Sequence, residues 1–311
     1  MPDTSISVPT EPVQRIKPTE LAAALRNREP VIIEGALERW PQWKSWNFDT
    51  FRQRYGSLPV KAYVDLPEQS ALYERPAGDS FRAMTVAGFL DHLASPERTR
   101  ACYLATQPVD TFPGLREELP FRELLPPEER DSLHPYVWIG SENTRIGLHW
   151  DKEDNLLTQV VGTKVVYLAA PDVARLYPHA DNFTESQIEL EAPDYDRFPR
   201  FREVRLREAR LGPGDALFLP SQWWHFVRSL EPSISINCWY YGRTVTFLDC
   251  VRMLNQCGAG YWLHATRQLV VNGVLKRKPT KRFYSTFNSG QLLLSVLVSD
   301  LEKLVTGQRK A

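Results

Sequence analysis

The sequence lacks a charge excess, a cysteine framework and any long apolar run. Its 38 Lys and Arg residues equal its 38 Asp and Glu residues, so no overall field draws the protein to nucleic acid or to a membrane surface. The four cysteines show no CxxC pair and no zinc spacing, which disfavours a disulfide scaffold and predicts small buried hydrophobic residues. No apolar stretch reaches the roughly 18 residues of a membrane span, and the N-terminus does not resemble a signal peptide. These absences predict a soluble, intracellular protein of the cytoplasm.

Short extended runs rich in β-branched and aromatic residues dominate the sequence before residue 242, and 24 prolines punctuate it. Ahead of residue 105 such runs alternate with short helical patterns, which begin near Glu20, Asn47 and Thr85. After residue 135 they follow one another closely: Tyr136–Ile139, Gly147–Asp151, Leu156–Val161, Lys164–Ala169, Ala216–Leu219 and Ser233–Tyr240. The pattern predicts a mainly β protein with helices, of the α+β class, with a mixed N-terminal region.

The two ends of the sequence differ from this pattern. Residues 1–15 are polar and predict a flexible tail. Residues 243–311 predict a C-terminal helical region, because apolar residues recur there at helical spacing: Phe247, Val251 and Leu254, then Leu293, Leu297, Leu301 and Leu304. These helices either cap the core or form a homodimer interface. The basic cluster at residues 276–282 is either a solvated turn or a phosphate-binding patch.

A candidate metal site is centred on His149 and Asp151. Side chains two positions apart on a strand point to the same face, so these two can act together. A distant His225, just after a strand that we expect to end at Pro220, could complete a triad of two imidazoles and one carboxylate. Such a triad suits a non-haem Fe(II) with open positions. Taken alone, a His and an Asp at this spacing also fit an ordinary core or surface pair.

Five stretches between residues 148 and 240 raise the weight of that site through their order and spacing. They are Leu148–Asp151, Asn155–Lys164, Pro193–Pro199, Gly212–His225 and Asn237–Tyr240. Together they resemble the cupin-like JmjC-type 2-oxoglutarate oxygenases, most closely the factor-inhibiting-HIF asparaginyl hydroxylase group. The resemblance covers roughly residues 28–242. It implies a double-stranded β-helix (jelly-roll, cupin) core within a catalytic domain at 16–242, whose metal-bearing part is about 100–242.

The resemblance also implies roles for individual residues. It makes His149, Asp151 and His225 the ligands of Fe(II), and it aligns two residues with the distal carboxylate of the co-substrate 2-oxoglutarate, Lys164 and Tyr103. A buried ammonium needs a counter-anion, which a dicarboxylate supplies. Asn155 and Asn237 match asparagines that line the pocket. Four tryptophans are expected to wall the site: Trp150 and Trp239 toward the substrate, and Trp223 and Trp224 either there or in an aromatic core.

Two positions depart from the asparaginyl hydroxylase pattern. Ile146 stands where that group has a threonine that bonds the co-substrate carboxylate, so one donor is lost unless Thr158 replaces it. Ala105 stands where the group has a substrate-contacting glutamine. The chemistry can therefore be inherited while the substrate differs.

The expected function is Fe(II)- and 2-oxoglutarate-dependent hydroxylation of a C–H bond in a side group of a peptide or protein, consuming molecular oxygen and releasing succinate and CO2. Lysyl demethylation is a variant of the same chemistry. Hydroxylation of an RNA base or of a small metabolite is the enzymatic alternative, and the basic cluster would then contact phosphates. A non-catalytic cupin-like binding module is the alternative from another class.

Overall fold

Two β-sheets form the body of the protein in the computed structural model, which describes residues 6–38, 40–66, 81–119, 121–240, 245–277 and 289–306. The strands are β1 Thr10–Pro12, β2 Gln14–Ile16, β3 Val31–Ile33, β4 Pro59–Leu66, β5 Phe81–Thr85, β6 Ala101–Pro108, β7 His134–Gly140, β8 Arg145–Trp150, β9 Asp154–Val161, β10 Lys164–Ala169, β11 Leu206–Leu211, β12 Ala216–Leu219, β13 Trp224–Ser229 and β14 Ser233–Tyr240. Within the described ranges, one sheet has the order β1-β11-β10-β13-β8 and the other β2-β3-β12-β9-β14-β7-β6-β4-β5.

Helices lie at both ends of the protein and in the connections. The α-helices are α1 Leu21–Asn27, α2 Phe48–Tyr55, α3 Val86–Ala94, α4 Leu115–Glu118, α5 Phe121–Leu124, α6 Val173–Leu176, α7 Phe247–Cys257, α8 Ala259–Gln268 and α9 Ser289–Thr306. A π-helix, Leu269–Val274, continues α8, and the 3-10 helices are Pro18–Glu20, Pro41–Ser45, Val109–Thr111, Pro127–Ser132 and Pro199–Glu203. Side chains of Asn47, Thr85 and Thr246 accept backbone N–H groups at the starts of α2, α3 and α7.

Three apolar layers hold these elements together. Between the sheets, inward residues of β10 and β11 meet those of β9 and β12: Val166, Leu168, Leu211, Leu157 and Leu217. The other face of the larger sheet packs against α1, α2 and α3. The other face of the smaller sheet packs against α7, α8 and α9. Because each strand alternates its side chains between two covered faces, most strands are buried on both sides.

The strands predicted from the sequence are all present, with ends that differ by a few residues. The two-sheet arrangement and its helices confirm the α+β fold class. The three cysteines nearest the core, Cys102, Cys238 and Cys250, are buried, Cys257 is half-buried, and all four are free. Among the described residues, no helix combines the length and the apolar character that crossing a bilayer requires.

Three expectations need correction. Residues 10–15 are not a loose tail, because β1 pairs with β11 and β2 pairs with β3. His225 does not follow a strand but lies on one, β13. No local pattern pointed to β5 or β11, since Leu206–Leu211 carries charged residues at three of its six positions. Pairing with β10 on one side and β1 on the other makes that segment a strand.

Candidate metal centre

The two histidines and the aspartate come together at one end of the smaller sheet. His149 on β8 and His225 on β13 are directly paired across neighbouring antiparallel strands, so their side chains share a face. Their ring centroids are 4.1 Å apart. Asp151 follows the end of β8, and one potential ligand atom from each of the three residues lies within 4.8 Å of the others. Two imidazoles and a carboxylate at this separation form a facial donor set.

Backbone carbonyls hold both imidazoles in one tautomer. The Nδ1 atom of His149 lies 2.8 Å from the carbonyl oxygen of Gly147, and that of His225 lies 3.0 Å from the carbonyl oxygen of Trp223. A carbonyl oxygen only accepts, so Nδ1 carries the proton and Nε2 keeps a free lone pair. Burial, and after it the charge of His225, lowers the pKa of His149 to about 4. His149 is therefore neutral near pH 7, as a metal ligand must be.

A series of hydrogen bonds holds the Asp151 carboxylate. Its Oδ2 atom accepts from Trp239 Nε1 at 2.8 Å and from Asn155 Nδ2 at 3.3 Å. Asn237 donates to the Asn155 amide oxygen at 2.9 Å, and Trp138 Nε1 donates to the Asn237 amide oxygen at 2.6 Å. These donors lie on strands β7, β9 and β14, so the larger sheet orients a ligand that belongs to the smaller one.

A cavity of about 590 Å³ opens beside the triad, and Lys164 lies in its wall. This lysine is only 2% exposed, and burial alone lowers its pKa to about 7. Its Nζ atom is 3.5 Å from the Tyr103 hydroxyl, and no carboxylate of the described ranges lies within 4 Å of it. A buried ammonium in that position lacks an anion, and a carboxylate ligand would provide one. The residues present therefore fit both Fe(II) and 2-oxoglutarate.

The structure places the other expected residues in different surroundings. Ile146 lines the cavity, as its position three residues before His149 requires. Thr158 does not replace the missing donor, because it is fully buried on β9 and its hydroxyl donates to the Ile236 carbonyl at 2.5 Å. Trp150 borders the cavity, but its indole packs beneath the C-terminal helices and donates to the Phe183 carbonyl.

The remaining tryptophans also have defined places. Trp239 borders the cavity while bonding Asp151. Trp223 packs between the sheets with the Arg207 guanidinium over its ring, and Trp224 packs against the helices on the outer face. Trp223 and Trp224 therefore belong to aromatic cores, which was one of the two expectations for them.

Several cavity residues escaped the sequence reasoning. The loop at 177–202, expected to be an ordered lid, instead runs beside β8: Glu185 forms an antiparallel bridge with His149, and the Trp150 N–H donates to the Thr184 carbonyl at 2.9 Å. Thr184 and Glu185 thereby join the wall, together with Leu292 and Ser295 of α9. Nothing in their local sequence marks them, since no spacing rule links residue 149 to residues 36 or 146 positions away.

The C-terminal helices hold that loop in place. Ser289, at the start of α9, donates its hydroxyl to the Ala180 carbonyl at 3.0 Å and accepts the Phe183 N–H at 3.1 Å. His264 and Gln268 of α8 both bond the Asp181 carboxylate, at 2.7 and 2.9 Å. The helical region therefore supports the outer edge of the ligand strand as well as one wall of the cavity.

Comparisons with known proteins agree with this geometry. A sequence model of the family described as cupin-like domain matches residues 18–244. The protein is 34% identical over 245 residues to lysine-specific demethylase 8 of Danio rerio, covering 75% of its own length and 59% of that relative. It is 31% identical over 219 residues to lysine-specific demethylase 8 of Xenopus tropicalis, covering 68% and 48%.

A third relative has a different name. The protein is 29% identical over 233 residues to tRNA wybutosine-synthesizing protein 5 of Gallus gallus, covering 68% of its own length and 70% of that relative. It spans about half the length of the two demethylase-named relatives, 48% and 59%. The expected closeness to the asparaginyl hydroxylase group stays a prediction, since none of these three names refers to it.

Proposed function

The chain belongs to the cupin-like, JmjC-type family, and from that premise we propose that it is an Fe(II)- and 2-oxoglutarate-dependent hydroxylase. Its proposed target is a C–H bond in a side group of a peptide or protein. The observation that carries the proposal is a single cavity that contains both a facial triad and a buried lysine without a carboxylate partner in the described ranges. A structural jelly-roll needs neither feature.

Each polar residue of the cavity has a place in this proposal. His149, Asp151 and His225 would hold Fe(II), leaving positions open, and the Lys164 ammonium would pair with the distal carboxylate of 2-oxoglutarate with help from the Tyr103 hydroxyl. Bound Fe(II), with 2-oxoglutarate and O2, supplies the oxidation that inserts an oxygen atom into a C–H bond and releases succinate and CO2.

The protein itself contributes fixed geometry and a dry environment. The carbonyls behind the imidazoles hold Nε2 toward the cavity, and the donors behind Asp151 keep its carboxylate from turning away. Tyr63, Tyr136 and Trp138 add an aromatic wall, which reduces the water around the substrate. Asn155 and Asn237 act through Asp151, because their hydrogen bonds run to that carboxylate and to one another.

The relatives named as demethylases favour a protein substrate. Demethylation of a methylated lysine would begin with the same hydroxylation, on the N-methyl carbon, so the proposed chemistry covers both outcomes. Incubation of the purified protein with Fe(II), 2-oxoglutarate and a peptide library tests it. We expect succinate release together with peptides heavier by one oxygen atom or lighter by one methyl group, and no activity in Asp151→Ala. The absence of coupled and uncoupled succinate release would contradict the proposal.

An RNA substrate is the second candidate, favoured by the relative that is named for tRNA wybutosine synthesis. Lys276 and Arg277, the described part of the basic cluster, are exposed, whereas residues 278–282 lie outside the described residues. Filter binding of tRNA at low and moderate salt tests this candidate. Salt-dependent retention that weakens in the double variant Lys276→Ala, Arg277→Ala would support it, and no retention at low salt would remove it.

A homodimer through the C-terminal helices is part of the proposal. The end of α9 exposes Leu301, Leu304 and Val305, at 52%, 68% and 86% of their surface, and contiguous apolar area of this kind usually has a partner. Sedimentation velocity should show a dimer that the double variant Leu301→Glu, Leu304→Glu converts to a monomer. A wild-type monomer at micromolar concentration would contradict the dimer.

Two further expectations from the sequence remain proposals. The cytoplasmic location can be checked by fractionation of cells that produce the full-length protein. The boundary between the catalytic domain and the helical region, expected at 242, falls within residues 241–244, which lie outside the described residues. Limited proteolysis with mass spectrometry would locate it.

A further inference from the structure

We propose that Arg28 is a positioning residue for the metal site, through a clamp that joins the two segments bearing the ligands. The inference rests on the proposed function, because it assigns Arg28 an effect on the bound metal. Arg28 lies at the end of α1, 121 positions before His149, and it does not line the cavity of the described residues. Its influence must therefore pass through other residues.

The clamp consists of Arg28, Asp154 and Ser221. The guanidinium of Arg28 donates to both carboxylate oxygens of Asp154, at 2.7 Å each, and to the Ser221 hydroxyl at 3.0 Å. The Ser221 N–H donates to the same carboxylate at 2.8 Å. Asp154 is 2% exposed, so a bidentate cation and a backbone donor are what allow its charge to be buried.

Each partner of Arg28 is a few residues from a metal ligand. Asp154 begins β9, three residues after Asp151, and Ser221 precedes His225 by four residues. The Gln222 N–H adds a direct bond to the Asp151 carbonyl at 3.0 Å. The clamp thus fixes the turn that leads into β13 against the turn that leaves β8. Those two turns set the separation between the Asp151 carboxylate and the His225 imidazole.

The turn at 220–223 needs such support. Gln222 has φ of 70°, a left-handed conformation that costs free energy for a residue with a Cβ atom. The next residue, Trp223, provides the carbonyl that holds the His225 ring. A shift of this turn would consequently rotate the imidazole away from the triad, even with the strands intact.

The backbone of Arg28 points in the same direction. Arg28 has φ of 57° and caps the end of α1, a position at which glycine is ordinarily favoured. An arginine there bears conformational strain that the helix does not require. Its side-chain bonds to Asp154 and Ser221 supply a reason for its presence, since a glycine could make neither.

Replacement of Arg28 by methionine in the full-length protein tests the clamp, with Co(II) as the metal probe in place of Fe(II). Ser221→Ala removes one clamp bond with little risk to folding. Arg52→Met is the matched control, because Arg52 also pairs with an aspartate, Asp91, but on the exposed surface. For each protein, the Co(II) dissociation constant, the visible spectrum of bound Co(II) and the urea midpoint are measured. The spectrum reports ligand geometry, which a loss of stability alone does not change.

We expect Arg28→Met to weaken Co(II) binding by about tenfold or more and to alter the Co(II) spectrum, as loss of supporting residues commonly does. Ser221→Ala should weaken binding by roughly threefold, in line with one lost hydrogen bond. Arg52→Met should match wild type. Should Arg28→Met fail to fold, the Ser221→Ala result decides. Wild-type affinity and spectrum in the folded clamp variants would refute the positioning role alone, whereas a wild-type protein that binds no Co(II) would refute the proposed function as well.

Discussion

Raising the pH should weaken the binding of 2-oxoglutarate to the metal-loaded protein, because Lys164 must be protonated to pair with a carboxylate. Burial lowers the pKa of Lys164 to about 7, so the ammonium loses its proton within the physiological range. A bound carboxylate favours the charged form and returns the pKa toward its ordinary value. Binding above about pH 7 therefore takes up one proton, and the affinity falls as that proton becomes scarce.

The size of the effect follows from the lowered pKa. With a pKa of about 7 in the free protein, the dissociation constant should rise about 25-fold between roughly pH 6.5 and pH 8.5. His149 contributes nothing to this change, because its pKa of about 4 leaves it neutral throughout that range. Lys164→Met should bind 2-oxoglutarate weakly at every pH, with no proton uptake.

Calorimetry with Mn(II) in place of Fe(II) provides the assay, since Mn(II) is not readily oxidised by air. Titrations with 2-oxoglutarate under saturating Mn(II), in two buffers of different ionisation enthalpy, give both the affinity and the number of protons taken up. Lys61→Met is the matched control, because Lys61 is an exposed lysine on β4 and should leave both quantities unchanged. A wild-type dissociation constant that stays constant over this pH range, with no proton uptake, would refute the reasoning.

Three further outcomes follow from the same site. Lys164→Met should stabilise the ligand-free protein, because burying the ammonium costs on the order of 4 kcal/mol below about pH 7 and nothing above the ordinary lysine pKa. Urea unfolding at low and high pH measures this. Trp239→Phe should weaken Mn(II) binding about tenfold by removing the 2.8 Å bond to Asp151, as titration calorimetry would report. Ile146→Thr should tighten 2-oxoglutarate binding several-fold, because it adds a donor to the cavity wall.

Each of these outcomes has a matched control. Lys61→Met should not stabilise the protein at any pH. Trp262→Phe removes an indole that bonds Asn255 on the helical surface, so it should leave Mn(II) affinity unchanged. Ile146→Val changes the size of the side chain without adding a hydroxyl. Equal effects of Ile146→Val and Ile146→Thr would show that volume, rather than a hydrogen bond, governs the binding of 2-oxoglutarate.

Local pattern predicted much of the fold and the centre of the site. The alternation of Ile234, Ile236 and Cys238 marked β14, and the two-residue spacing of His149 and Asp151 placed both on one face. These features depend on neighbours along the sequence, which spacing describes well. The resemblance then led to Lys164, whose burial beside Tyr103 agrees with the expected anchor.

Long-range contacts were beyond the reach of such patterns. β11 has a strand's conformation because β1 and β10 flank it, not because of its charged residues. Thr158, a reasonable donor on paper, turns its hydroxyl to β14 instead. The role expected for the loop at 177–202 changed for the same reason, since its bridge to His149 forms between residues 36 positions apart.

Sequence spacing was sufficient to identify the donor atoms: the two imidazoles, the carboxylate and the buried ammonium are properties of residue type and of strand periodicity. What surrounds those atoms depended on folding. The donors behind Asp151 come from three strands, the cavity wall includes Leu292 and Ser295 of α9, and Arg28 reaches Asp154 across 126 positions. Such contacts are chosen by how the sheets and helices pack, because packing alone brings distant residues within the few ångströms over which hydrogen bonds act.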